Sequence, residues 1–312
     1  MTKYKIVANP VAGSGAGARA IPRIIQLLNE HQMDYDLVKT EFPGHGIDLT
    51  RESASQGFDV IVAAGGDGTV NEIINGLMRA KMSGMNPPAF GILGAGRGND
   101  LAYSVNAPHD LEQAVKTLEE SHRQLIDIGR VVGGKYPQGR YFGNCVGVGF
   151  DAVTTIEVSK MPRLGGFFSF FIAVLKTIFL YYKGPLIKVE YDDKEITQHC
   201  LMVSIMNGQR LGGGFWTAPN ATLDDGLLDL CIAQEVTRRR IFTLIPYFLK
   251  GTQHTQEEIT MGQASKISIH AIDGVLPAQT DGEILCIDGN QLEIEILPKQ
   301  LEVVCLPRGN EG

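Results

Sequence analysis

Val60-Ile-Val-Ala-Ala-Gly-Gly-Asp-Gly-Thr69, continuing as Val70-Asn-Glu-Ile-Ile-Asn-Gly-Leu77, decides how this chain is read. An apolar run of strand length meets paired glycines and then an amphipathic pattern. The order predicts a parallel strand, a tight loop and the start of a helix. Gly65, Gly66 and Gly68 let the backbone turn sharply and come close to a phosphate, and Thr69 is placed to cap the helix. Asp67 is the residue to explain, because a carboxylate repels phosphate unless a cation or a hydroxyl awaiting deprotonation lies between them. The stretch therefore points to nucleotide chemistry; a plain Asp-Gly turn is the alternative it leaves open.

The same strand, loop and helix order recurs on either side. Tyr4 to Ala8 reads as a strand and Asn9-Pro-Val-Ala-Gly-Ser-Gly-Ala-Gly17 as a loop, followed by Ile21, Ile24, Ile25, Leu27 and Leu28 at helical spacing. This loop has neither the GxGxxG fingerprint nor a Walker A ending, but Asn9, Gly13 and Ser14 could bring amide donors to a phosphate. Tyr35 to Thr40 is a second strand, with Thr40 at its ligand-side end, and residues 44–56 are helical. Ala89 to Leu93 is another strand, running into Gly94-Ala-Gly-Arg-Gly-Asn-Asp100. There Arg97 can neutralise phosphate, and Asn99 and Asp100 can cap the next helix. A helix over 109–120 and a strand from Leu125 close a first domain of residues 1–128. Its repetition gives a parallel sheet with three loops converging on one edge.

From residue 129 the punctuation changes. Tyr141 to Gly149 reads as a glycine-interrupted strand, and Ile187–Tyr191 with Thr197–Met206 flank an Asp-Asp-Lys turn, a hairpin signal. Further strands are expected at 227–233, 266–270, 284–286, 292–297 and 301–306, together a sandwich or flattened barrel. Two stretches break the pattern. Phe167 to Tyr182 is apolar and aromatic but falls short of the roughly 20 residues of a bilayer span, so it reads as a helix on a core or as the wall of an acyl-chain cleft. Arg238-Arg-Arg240 precedes Phe242, Leu244, Ile245, Tyr247 and Phe248, a pattern for anionic headgroups above an interfacial apolar face, or for a solvated surface.

The acidic candidates lie in this second half. Leu223-Asp-Asp-Gly-Leu-Leu-Asp229 has oxygen ligands at a spacing that can hold magnesium, or it is a turn. In Thr280-Asp-Gly-Glu-Ile284, Asp281 and Glu283 share a face if the segment is extended; across a tight turn one would orient the other. Phosphoryl transfer needs little more than a carboxylate within reach of the attacking hydroxyl, because positioning and charge compensation do most of the work.

At 312 residues with 44% hydrophobic and 20% charged side chains, the chain can bury two cores. A net charge of -7 gives no support to a nucleic-acid partner. The five cysteines are scattered without a CxxC pair, and Met1-Thr-Lys-Tyr-Lys-Ile-Val7 runs straight into a strand, so a reducing cytoplasm is the expected setting.

Taken together, Asn9-Pro with Gly13, the Gly65–Thr69 loop with Asn71-Glu72, Asn99-Asp100, Asp225-Gly-x-Leu-Asp229 and Asp281-Gly-Glu283 resemble the diacylglycerol kinase catalytic family of bacterial soluble lipid kinases. That family is related to sphingosine and ceramide kinases and more distantly to NAD kinases and phosphofructokinases. The resemblance covers nearly the whole chain. It implies an α/β N-terminal domain with a parallel, NAD-kinase-like sheet, then a mainly antiparallel β-sandwich domain over 129–300, with 301–312 returning a last strand to the first. It implies transfer of the γ-phosphoryl group of ATP to a lipid hydroxyl, with diacylglycerol to phosphatidic acid as the default.

Residue by residue, the resemblance assigns Asn9, Pro10, Val11, Ala12, Gly13, Thr40, Gly65, Gly66, Asp67, Gly68, Thr69, Val70 and Asn71 to ATP, and the third loop's own chemistry adds Arg97 beside the phosphates. Asp67 would act near the phosphates and Mg2+, and Thr222, Asp225 and Leu227 match a structural magnesium site. Glu283 matches the proton acceptor, with Asp281 its rival or orienting partner. The lipid would be met at a membrane surface by a cytoplasmic protein in transient peripheral association; a homodimer is admissible. One departure stands out. The family's third loop reads Pro-x-Gly-Thr-x-Asn-Asp, whereas here Gly94 replaces the proline and Arg97 the threonine. A kinase for a soluble acceptor, as in NAD kinases, and a noncatalytic nucleotide- or lipid-binding regulator are the alternatives.

Overall fold

The strand at the centre of the decisive stretch, β3 (Val60–Gly65), is buried along its whole length, as a strand covered by helices on both faces must be. In this computed structural model, which describes residues 1–95, 99–161, 166–181 and 183–307, β3 lies between β1 (Lys3–Ala8) and β4 (Ala89–Gly94). β2 (Asp34–Lys39) pairs with β1, and all four strands run parallel. The crossovers are α1 (Ala12–Glu30), α2 (His45–Ser53) and α3 (Asp67–Met82), with α4 (Asp100–Ser104) and α5 (Leu111–Glu120) after β4. Ile6, Ile24, Leu28, Val62, Leu93 and Leu118 form one apolar core. Parallel strands joined by helices put every β-to-α turn at one edge. The turns after β1, β3 and β4 are the three glycine-rich loops.

The chain divides into two units: Met1–Ile126 with the segment from Lys299 on, and Asp127–Pro298. The second unit is antiparallel: β5 (Arg123–Gly133), β6 (Tyr136–Phe142), β7 (Cys145–Gly149), β8 (Leu186–Tyr191), β9 (Lys194–Met206), β10 (Leu228–Gln234), β11 (Ile259–Ala264), β12 (Lys266–Asp273), β13 (Leu276–Thr280), β14 (Glu283–Gly289) and β15 (Gln291–Val304). Strand β9 makes the sandwich. Its first half, Lys194–His199, pairs with β8, and Cys200–Met206 pairs with β7 and β10. Val146, Val189, Val203, Leu230, Ile267 and Leu285 fill the core. Helices α6 (Phe150–Lys160), α7 (Gly166–Leu180) and α8 (Arg238–Lys250) belong to the same unit.

Some elements differ from the expectation. The segments 292–297 and 301–306 are one strand, β15, in which the left-handed Lys299 (φ 50°) marks the passage between units. Val303 at its end pairs in parallel with Phe90. Helix α6 and strands β11 and β13 were not expected. β13 reads Leu-Pro-Ala-Gln-Thr, without the alternation of a half-exposed strand, because all five residues are buried. Tyr182, the end of the expected aromatic helix, lies outside the described residues.

Candidate active site

Asn9 joins the first loop to the second. Its amide donates to the Ala64 carbonyl (2.9 Å), its Nδ2 donates to Thr69 Oγ1 (3.1 Å), and its Oδ1 accepts the Val11 amide (3.1 Å). Gly13, Ser14 and Gly15 are left-handed in succession (φ 55°, 59° and 84°) and interrupt α1, so the backbone here is a loop before the helix proper. A Cβ on Gly65 would overlap Thr69 Oγ1, which folds back over it. Thr69 is therefore not the helix cap. The cap position is Gly66, without a side-chain bond, and the Thr69 hydroxyl is buried as the acceptor for Asn9.

Asp67 reaches across to the third loop. Its Oδ2 accepts the Asn99 amide (2.9 Å) and its Oδ1 the Asp100 amide (2.8 Å). Asn99, in left-handed conformation, occupies the cap position of α4 without a side-chain bond. Glu72 accepts the Gly44 and Gly46 amides (both 2.8 Å) and so fixes the start of α2. Thr40 donates its amide to Ala8, closing the ligand-side end of β2. Pro10, Val11, Ala12 and Gly68 retain exposure at this edge, whereas Val70 and Asn71 are buried behind it. The first-unit residues expected at ATP thus share one edge; Arg97 lies outside the described residues.

In the second unit, Asp281 and Gly282 are both left-handed (φ 46° and 83°) and make a two-residue turn between Thr280 and Glu283, as Asp-Gly does in tight hairpins. The buried Asp281 carboxylate accepts three backbone amides: Gly143 (2.9 Å), Asn144 (3.0 Å) and Cys145 (2.8 Å). Of the two arrangements open to the acid pair, this is the turn. Glu283 is partly exposed, and its Oε2 accepts from Arg140 Nη2 (2.8 Å), a guanidinium almost wholly buried beneath it. Arg140 also stacks on Tyr136, 5.3 Å from the ring centre. An immobilised Asp281 and a reachable Glu283 suit different tasks.

The Thr222–Asp229 segment is pinned by a residue that sequence reading passes over. Buried Asp127 accepts the Gly226 amide (2.7 Å), and its own amide donates to the Leu223 carbonyl (2.6 Å). Asp225 is exposed and its Oδ1 accepts the Leu227 amide (3.0 Å). Among the described residues, one carboxylate oxygen of buried Asp229 has no hydrogen-bond partner; burial, and then the Asp225 charge, push the group up to about 6. Among the described residues no three His, Cys, Asp or Glu side chains form a metal cage. A hard cation held by hydroxyl, carboxylate and carbonyl oxygens of Thr222, Asp225 and Leu227 nevertheless suits this donor set and would relieve the charge beside Asp229.

The unit also holds an apolar cavity of about 70 Å³, lined by Phe150, Phe170, Val174, Phe215, Ile241 and Phe248 among others. Asp151, the second residue of α6, is one polar side chain in its wall. On the outer faces of α7 and α8, Phe168, Phe179, Leu180 and Phe242 are exposed, Phe179 meeting Phe242 edge-on, with exposed Arg238 and Arg239 at the head of α8. Among the described residues no helix is long and apolar enough to cross a membrane.

Two family models match the chain: the diacylglycerol kinase catalytic domain over residues 3–131 and the YegS C-terminal NAD kinase beta sandwich-like domain over residues 144–305. A Chromohalobacter salexigens protein named "Probable lipid kinase YegS-like" is 30% identical over 243 residues, 77% of this chain and 74% of its own. A diacylglycerol kinase of Staphylococcus saprophyticus is 27% identical over 282 residues, 90% of this chain and 88% of its own. The crystal structure of a diacylglycerol kinase from Bacillus anthracis str. Sterne has the same fold, with a TM-score of 0.73 at 23% identity over 98% of this chain and 97% of that one.

Proposed function

The chain belongs to the family of ATP-dependent lipid kinases that joins a diacylglycerol kinase catalytic domain to a YegS-type C-terminal domain, and from that premise we propose that its acceptor is diacylglycerol and its product phosphatidic acid. The observation that carries the proposal is the pairing, within one unit, of the Asp281–Glu283 turn with an apolar cavity walled by aromatic helices. Walls of this kind suit an acyl chain better than the sugars and phosphates of a soluble acceptor such as a dinucleotide. At about 70 Å³ the cavity is smaller than the ~150 Å³ that holds a benzene ring in an engineered core. An acyl chain therefore enters by turning aside side chains such as Phe170 and Phe248.

Glu283 takes the hydroxyl proton as the lipid oxygen bonds to the γ-phosphorus and the bond from that phosphorus to the β,γ-bridging oxygen breaks, leaving ADP. Arg140 fixes the Glu283 carboxylate in place. Asp281, already occupied by three amides, shapes the turn and acts as a positioning residue. The Asn9–Gly13 and Gly65–Thr69 loops hold the nucleotide, and Asp67 keeps the third loop closed on it. Magnesium, when bound, supplies charge compensation on phosphate oxygens beside Asp67, and Thr222, Asp225 and Leu227 would hold a structural ion. Exposed apolar side chains of α7 and α8 with Arg238 and Arg239 would rest on an anionic bilayer surface.

Glu283→Gln tests the assignment. With magnesium present, kcat for diacylglycerol should fall by about 10²–10⁴-fold, the usual worth of a general base, while ATP binding by calorimetry stays within threefold. Asp281→Asn should lose both activity and thermal stability. Retained kcat in Glu283→Gln would remove Glu283 from the mechanism.

A further inference from the structure

Asp151 is buried and unused by the mechanism above. It is the second residue of α6, the helix that packs on β13 and β14, the strands flanking the acid turn. Ser204 Oγ, fully buried on β9, donates to its Oδ2, and among the described residues this is the carboxyl's one hydrogen-bond partner. Nearly every other lining side chain of the cavity is hydrocarbon; Thr154 and Thr217 bring the remaining hydroxyls.

The carboxyl also lies next to the catalytic turn. A Cβ built on Gly147 would sit 2.7 Å from Asp151 Cβ, 3.0 Å from Asp151 Oδ2 and 2.6 Å from Gln279 Nε2, so glycine is required there for the two side chains to close over the β7 backbone. Gln279 Oε1 in turn accepts the amide of Gly282, inside the acid turn (2.9 Å). Gln279, which braces the turn and donates its Nε2 to Cys145 Sγ (3.7 Å), thus lies across Gly147 from Asp151, a polar side chain in the wall of the apolar cavity.

We propose that Asp151, anchored by Ser204, is a specificity-determining residue of the acceptor site, its carboxylic acid donating a hydrogen bond to an acyl carbonyl oxygen of the lipid. The inference rests on the lipid-kinase reading and extends it by naming the acceptor class: an ester or amide carbonyl close to the reacting hydroxyl. Ser204 occupies one oxygen of an acid that lines the cavity, and a lipid that fills the cavity can bring an acceptor to the other. Burial pushes the Asp151 carboxyl up to about 7, so the protonated form is available to donate at neutral pH. Ser204 already directs its hydroxyl hydrogen at Asp151 and has none left for the lipid.

The test compares a 1,2-diacylglycerol with the matching 1,2-dialkyl ether, which keeps the chains and hydroxyl but lacks the carbonyls, in identical mixed micelles. Wild type should prefer the diester by about tenfold in kcat/KM, the scale of one hydrogen bond left unmade in an apolar site. Asp151→Leu should bring that ratio close to one, whereas Asp151→Asn, which keeps an N–H donor, should retain most of it. If Asp151→Leu does not fold, Ser204→Ala serves instead, and the loosened carboxyl should lower the ratio at least threefold. No preference in the wild type, an unchanged ratio in Asp151→Leu or Ser204→Ala, or equal collapse in Asp151→Asn would each overturn the proposal. Phosphorylation of neither lipid by the wild type would overturn the acceptor reading beneath it.

Discussion

Three carboxylates in the second unit show how environment divides labour among like groups. Asp281 is saturated by the amides of Gly143, Asn144 and Cys145, Glu283 leans on Arg140 at a partly open position, and Asp151 faces hydrocarbon with a single hydroxyl partner. The last leaves a signature in stability. An acid whose pKa is raised by folding contributes stability that is fully present below its unfolded value and is lost as pH climbs through the folded one. For Asp151 that window runs from about 4 to about 7. Asp151→Asn removes the dependence. The wild-type-minus-variant difference in unfolding free energy, from urea titrations at several pH values, should therefore shrink as pH rises across the window, by at most about 1.4 kcal/mol per pH unit. A difference constant with pH would contradict the buried, neutral acid.

Among the elements, those whose own residues dictate their form were legible. Gly65-Gly-Asp-Gly-Thr69 announces a tight strand-to-helix turn, because only glycine tolerates Thr69 packed against Gly65, whereas Asp281-Gly-Glu283 leaves an extended segment and a tight turn both open, and the left-handed Asp281 and Gly282 decide for the turn. The role of Thr69 is hidden in the sequence because its bonding partner, Asn9, lies in another loop. Asp127, Arg140 and Asp151 escape notice for the same reason: their partners are 99, 143 and 53 residues away, and nothing local marks them. Helix α6 escapes because β-branched Val153, Thr154, Thr155 and Ile156 read against a helix. Helix α8 carries an outcome of its own. If its exposed arginines meet anionic lipid, Arg238→Ala with Arg239→Ala should weaken sedimentation with phosphatidylglycerol vesicles by roughly thirtyfold, at about 1 kcal/mol per charge, and raised salt should mimic the change. Equal binding by wild type and variant at low salt would place the membrane contact elsewhere.

At the scale of the molecule, the α/β unit brings its glycine-rich loops to one sheet edge, and the sandwich supplies a carboxylate turn and an apolar cavity. Neither set suffices for transfer to a lipid. The most direct measurement is transfer of labelled γ-phosphate from ATP, with and without magnesium, to a panel of lipid hydroxyls in mixed micelles, run beside NAD and with Glu283→Gln as control. Magnesium-dependent labelled phosphatidic acid should form from diacylglycerol and be lost in the variant. Labelled NADP with no labelled lipid would contradict the lipid-kinase assignment.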